Sequence, residues 1–234
     1  MNSDYVDPTR HLALASNVPK IAALNPVAGF AGPFGVGKDH AIEAAGYASK
    51  SRIAGPLYEL VEILTRQRVD KAAPGWRDTL CKVGAWGRGE ISEDYPMTAE
   101  RAQFIHYVRK LAGYEDFGRA ASFWLDRSIE LAKFQVGTHG STAFPDVRYP
   151  NEMEAVLAAG WPVYFVACRQ ETLFKRRTAM GYPINSTERS ERLANDLFAR
   201  VVLSKLRPEI EGVTVLWSDE PDSCPPFAIP MFTK

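Results

Sequence analysis

Residues 32–39, Gly-Pro-Phe-Gly-Val-Gly-Lys-Asp, constrain the fold of this chain more than any other stretch. An apolar run, Pro26 to Ala31, precedes them and can form a buried strand. Lys38–Ser49 follows without proline, and Ala41, Ile42, Ala45 and Ala48 recur at helical spacing. Strand, glycine-rich turn and helix together form the context of a phosphate-binding loop. Gly32, Gly35 and Gly37 let the backbone curl through positive φ and turn N–H groups inward. The helix N-terminus adds partial positive charge, and Lys38 can reach terminal phosphate oxygens. Asp39 stands where the general pattern G-x-x-x-x-G-K-[ST] places a magnesium-binding hydroxyl. The competing reading is an ordinary glycine turn with Asp39 favouring a helix start, and the strand–loop–helix context weighs against it.

A chain of 234 residues can bury a substantial core, which fits one α/β domain with a smaller insertion. Hydrophobic residues at 46% and charged residues at 24% describe an ordinary globular protein. Formal net charge is zero, so nothing in the overall balance calls for a polyanionic partner. Cys81, Cys168 and Cys224 have neither disulfide nor metal spacing, and a reducing cytosol suits them. No signal-peptide pattern and no membrane-length apolar run is seen, so a soluble protein is expected.

The irregular residues 1–19 read as a surface arm. A second strand is expected at Ser51–Ala54, then a helix from Pro56 to about Arg68 with Leu57, Leu60, Val61 and Leu64 on one face. Residues 69–97 hold Pro74-Gly75, Gly84, Gly87-Arg88-Gly89 and Pro96, and read as broken structure: a substrate-covering insertion or a long ordered connection. Helices are expected at 99–112, capped by Thr98, and at 119–134. Strand and helix then alternate: strands at 142–147, 163–168 and 213–217, helices at 151–159, 170–180 and 187–206, and a proline-rich extended tail from Ser218. This order predicts a P-loop NTPase-type parallel sheet flanked by helices, in one domain, with a helical insertion at about 69–134 for substrate binding.

A second informative stretch is Phe144-Pro-Asp-Val-Arg-Tyr-Pro-Asn-Glu at 144–152. Asp146 and Arg148 fall at the carboxyl end of an expected strand, where parallel sheets place ligands. Two residues apart, they point the same way, and Asn151 and Glu152 open the next helix. A surface ion pair beside a helix cap would look the same in sequence.

Gly37-Lys38-Asp39, Ala54-Gly55-Pro56-Leu57 and the Asp-x-Arg-x-x-x-Glu element at Asp146–Glu152 together resemble the deoxynucleoside monophosphate kinases of tailed bacteriophages. That family shares the Asp at the loop's final position, and Gly118-Arg119 with Trp124 looks like its middle region. The likeness covers residues 26–67 and 117–170 best. It implies transfer of a phosphoryl group from ATP, with magnesium, to a deoxynucleoside monophosphate in the cytoplasm of an infected host. Gly32, Gly35, Val36, Gly37, Lys38, Asp39 and His40 would hold the donor. Lys38, Asp146 and Arg148 would act at the reacting phosphates, and Asp39 and Asp146 on the metal. Leu57, Tyr58, Arg119, Trp124, Asp146, Arg148, Asn151 and Glu152 would line the acceptor site, with Tyr58 and Trp124 equally readable as plain core aromatics. Arg101 and Arg109 are candidates for an arginine of the family's middle helix.

Basic residues cluster at Arg169, Lys175, Arg176, Arg177, Arg189 and Arg192, either as a solvated face or as a lid. Arg176 and Arg177, followed by Gly181 as a hinge, are the preferred lid residues, Arg176 reaching the donor. Two alternatives stand beside this reading. One is a P-loop kinase acting on a hydroxymethylated base in phage DNA, with Arg77, Lys82 and Arg88 building a basic groove. The other is a non-catalytic nucleotide-binding protein. Whether the chain works as a monomer or a homodimer is left open.

Overall fold

The structure, a computed structural model, describes residues 21–70, 73–182, 189–203 and 212–218. The expected arm at 1–19, the loop at 183–184, the ends of the 187–206 helix and the tail beyond Ser218 lie outside the described residues. A helical turn, α1 (Ile21–Leu24), leads into β1 (Val27–Ala31) and α2 (Lys38–Ala45), then β2 (Ser49–Lys50). Four helices follow: α3 (Gly55–Thr65), α4 (Trp76–Gly87), α5 (Ala99–Ala112) and α6 (Phe123–His139). The chain continues as β3 (Thr142–Val147), α7 (Pro150–Ala158), β4 (Val163–Ala167), α8 (Gln170–Ala179), α9 (Arg189–Leu203) and β5 (Val213–Trp217).

The five strands make one parallel sheet in the order β2-β3-β1-β4-β5. Every residue of β1 is buried, as expected of a central strand in a sheet covered on both faces. Right-handed crossovers send α2 to one face, since β2 lies to one side of β1. They send α7 to the other, since β4 lies on the opposite side from β3. Phe30, Phe144 and Phe165 are wholly buried in the sheet, and Met153 and Val156 are buried on α7, which packs on β1 and β4.

The chain divides into two compact units, a sheet unit of residues 1–50 with 134–234 and a helical unit of 51–133. The helical unit thus starts at Ser51, earlier than residue 69, because α3 packs on α4. Its core contains Leu60, Val61, Leu80, Val83, Ile105, Val108, Phe117, Phe123 and Trp124.

Four boundaries differ from the sequence reading. α2 stops at Gly46, whose φ of 81° ends the helix and whose N–H returns to the Glu43 carbonyl. The second strand is Ser49–Lys50, and the expected strand at Ser51–Ala54 is a turn closed by Gly55 N–H on the Arg52 carbonyl at 2.8 Å. Within the stretch read as broken, 76–87 is the helix α4. The helix expected at 119–134 runs from Phe123 to His139 instead. Thr98 caps α5 as expected, its Oγ1 accepting the Arg101 N–H at 3.1 Å.

Candidate functional site

Gly32, Gly35 and Gly37 have φ of 127°, 82° and 102°, a region costly to any residue with a Cβ. At Gly32 a Cβ would stand 2.6 Å from the Val166 carbonyl oxygen, so a larger residue cannot fit without moving the backbone. The loop they form leaves the carboxyl end of β1 and enters the N-terminus of α2. The connection leaving β1 runs toward β2 at one edge and the one leaving its neighbour β3 runs toward β4 on the other side, and open parallel sheets form their ligand crevice at such a point. The first N–H groups of α2, from Lys38 onward, have no intrahelical acceptor. Asp39 and His40 are exposed in that turn, and Val36 is buried beneath the loop.

Lys38 closes the loop on itself. Its Nζ donates to the carbonyls of Gly32 (2.6 Å) and Pro33 (2.9 Å). Burial, and then the charge of Arg148, draw its pKa from 10.5 down to about 8, against the opposing pull of Glu191, Asp39 and Asp146. Those residues therefore share one electrostatic neighbourhood around the loop. Asp39 has a counter-charge not anticipated from sequence: Lys50 Nζ lies 2.6 Å from its Oδ1 and 3.6 Å from Glu43 Oε1. The bond to Asp39 raises the pKa of Lys50.

β3 is hydrogen-bonded alongside β1, with Val147 opposite Ala31. That register sets Asp146 and Arg148 beside the start of the loop, both half-buried. Glu152 fixes the turn that follows. Its Oε2 accepts the N–H of Arg148 at 2.7 Å and of Tyr149 at 3.0 Å, and Pro150 opens α7. Burial raises its pKa from 4.5 to about 7. Asn151 is exposed in the same first turn.

Two basic residues of α8, Arg176 and Arg177, are bonded to the backbone of the glycine loop. Arg176 Nη1 donates to the Val36 carbonyl (2.8 Å) and Ser218 Oγ (3.0 Å), and its Nη2 to the Ser218 carbonyl (2.9 Å). Arg177 is only 2% exposed and Glu191 only 1%. Arg177 Nε donates to the Phe34 carbonyl at 2.9 Å, and its Nη2 pairs with Glu191 and with Asn195 Oδ1 (3.0 Å). Glu191 Oε1 also accepts the Phe34 N–H at 2.9 Å, and the Phe34 ring stacks on Tyr182 at 4.1 Å. Both arginines expected to cover a nucleotide thus grip the loop backbone, Arg176 included. Lys175 and Arg192 are exposed, and the Arg189 side chain lies outside the described residues.

No protein-family model, curated protein or solved structure matches this chain.

The remaining expected acceptor residues lie in the helical unit. Trp124 is a core residue there, 6% exposed, with its indole N–H donated to the Gly84 carbonyl at 2.8 Å. Leu57 and Tyr58 pack half-buried against the same core, and Arg119 is exposed. Arg101 is buried with Nη1 on the Tyr95 carbonyl at 2.6 Å and Nη2 on the Glu90 carbonyl, so it staples the 88–98 loop. Arg109 Nε is held by the Phe117 carbonyl at 2.8 Å. Both arginines offered as middle-helix candidates serve the unit's own backbone. Lys82 pairs with Asp78 (2.8 Å) and Arg88 with Glu90 (2.9 Å), which neutralises two of the three cations expected to build a groove.

Among the described residues, no three His, Cys, Asp or Glu side chains gather as a metal cage. Magnesium carried on a nucleotide needs only one or two carboxylates, with phosphate oxygens and water completing its shell. Asp146 and Asp39 are two carboxylates beside Lys38, and Asp39 is paired with Lys50 at 2.6 Å. No described helix is long and apolar enough to cross a membrane.

Proposed function

We propose that this chain transfers the terminal phosphoryl group of ATP to a deoxynucleoside monophosphate. The observation that carries the reading is the junction at the end of β1. Three glycines at positive φ lead into a helix N-terminus with Lys38 at its start, and the adjacent strand brings Asp146 and Arg148 alongside.

Phosphoryl transfer asks a protein for position and charge more than for covalent chemistry. An oxygen of the acceptor phosphate attacks the γ-phosphorus, the bond to the bridging oxygen breaks, and ADP leaves. In this mechanism the loop amides and Lys38 hold the β- and γ-phosphates. Arg148 offsets the charge that accumulates on the transferring oxygens. Asp39 and Asp146 would hold the magnesium ion, which supplies neutralising charge between the phosphates when bound. The reduced proton affinity of Lys38 eases as soon as a polyanion faces it, so the bound state keeps its ammonium charged.

The acceptor class rests on the resemblance carried by Ala54-Gly55-Pro56-Leu57 and Asp146–Glu152. A free nucleotide is favoured over polymeric DNA, because duplex binding depends on several neutralised phosphates. This chain has zero net charge, and Lys82 and Arg88 are already paired. The test supplies labelled ATP together with the deoxynucleoside monophosphates and hydroxymethyl-containing DNA. Label is expected in one or more diphosphates, and Lys38→Ala should abolish it with an unchanged circular dichroism spectrum. Label in DNA alone would replace the acceptor. Near wild-type transfer by Lys38→Ala would remove the loop from the chemistry.

A further inference from the structure

We infer that Arg177 and Glu191 are positioning residues that aim the amide donors of the glycine loop, an inference that rests on the phosphate-binding reading of that loop. The argument begins with the trans peptide, whose C=O and following N–H point in opposite directions. The Phe34 carbonyl faces Arg177, so the Gly35 N–H is sent away from Arg177. The Val36 carbonyl faces Arg176, so the Gly37 N–H is sent away from Arg176. The Pro33 carbonyl faces the Lys38 ammonium, and the Phe34 N–H of that same peptide points the other way, onto Glu191. The planes on either side of Phe34 are therefore opposed, and the carbonyls of Pro33, Phe34 and Val36 are each met by a charged side chain, with the Ser218 hydroxyl joining Arg176 at Val36. Phe34 is withdrawn from the anion-facing set, while Gly35 and Gly37 are turned into it.

Arg177 and Glu191 serve this arrangement jointly. Glu191 Oε1 accepts from both Phe34 N–H and Arg177 Nη2, and Arg177 Nε returns to the Phe34 carbonyl. The circuit closes only when the two peptides flanking Phe34 hold one orientation. The Phe34–Tyr182 stack and the Arg177 guanidinium, 5.7 Å from the Tyr182 ring centroid, fasten the same residue from its side chain. A buried ion pair is a weak source of stability compared with apolar residues of the same volume. Geometry is therefore the better account of why charges occupy a site that is almost wholly buried.

The experiment uses the full chain and the variants Glu191→Gln and Arg177→Lys, each first verified as folded by circular dichroism at the assay temperature. Amide hydrogen exchange at Gly35 and Gly37 and the affinity for inorganic tripolyphosphate are measured, with KM for ATP and for the monophosphate alongside. With tripolyphosphate bound, exchange at Gly35 should quicken more than at Gly37, which Arg176 aims, tripolyphosphate affinity should fall by about 10- to 100-fold, and KM for the monophosphate should hold. A variant that melts earlier but keeps wild-type exchange and wild-type tripolyphosphate affinity would make the pair a structural one only, and overturn the inference. Should neither variant fold, Asn195→Ala, which removes one partner of Arg177, decides by the same readouts. Its expected changes are smaller and in the same direction, and unchanged values overturn the inference. A wild-type chain that binds tripolyphosphate but phosphorylates no monophosphate would refute the transfer reading while leaving this one standing. Failure to bind tripolyphosphate would refute both.

Discussion

Glu152 takes two backbone N–H groups through a single oxygen, and its carboxyl is held at about 7 chiefly by burial. Between 4.5 and about 7 the folded chain therefore binds more protons here than the unfolded chain does. The contribution to stability is fully present below the lower value and is lost as pH rises through the upper one. Gln can offer one Oε1 to both N–H groups without titrating. Glu152→Gln is thus expected to flatten the decline, seen as a urea midpoint that changes less between those pH values. A variant curve parallel to that of the wild type would assign the decline to another group. At this scale the sequence located Lys38, Asp146, Arg148 and Glu152 by motif and strand-end position. It gave no sign of Glu191, Asn195 or Ser218, because they bond to loop backbone or to the arginines that hold it, and backbone partners leave no pattern in side-chain spacing. Arg176 and Arg177 read as a lid for the same reason: a basic pair on a helix looks solvated until its carbonyl acceptors are known.

Among elements, α4 was the one hidden by its glycines. Gly84 and Gly87 read as breakers, yet both sit in the helix where Trp124 packs against it. A Cβ on Gly87 would lie 2.4 to 2.7 Å from the Trp124 ring, whereas one on Gly84 meets its neighbours at an ordinary 3.5 Å. The two positions should therefore respond with opposite signs to the same change. Gly84→Ala should stabilise by up to about 1 kcal/mol through helix propensity. Gly87→Ala should destabilise by roughly 1–3 kcal/mol through overpacking. Urea midpoints check both, and a stabilising Gly87→Ala would mean that the tryptophan is free to move. Long, well-punctuated elements such as α5 and β3 were legible because a cap or an apolar run marked their ends. β2 was not legible, since two polar residues carry no alternation to read.

For the molecule as a whole, alternation of strand and helix was enough to foresee a parallel α/β sheet, and a stretch of helices without strands marked the helical unit. The unit's first residue was not foreseen, because α3 has the same amphipathic character wherever it packs. The strand order carries a consequence for synthesis. β1 and β2 are made first, but they are not paired with each other; β3 lies between them, and it follows the whole helical unit in sequence. While the ribosome extends the chain through residue 133, these two strands have none of their sheet partners, whereas the helical unit lacks only the last turns of α6. Local helical contacts also form faster than long-range strand pairing. The fragment 51–133 should accordingly fold alone with cooperative thermal unfolding, and lengthening it to 1–133 should add no β signal to its circular dichroism. The nascent glycine loop thus waits, tethered to an unpaired strand, until β3 and β4 emerge to flank it.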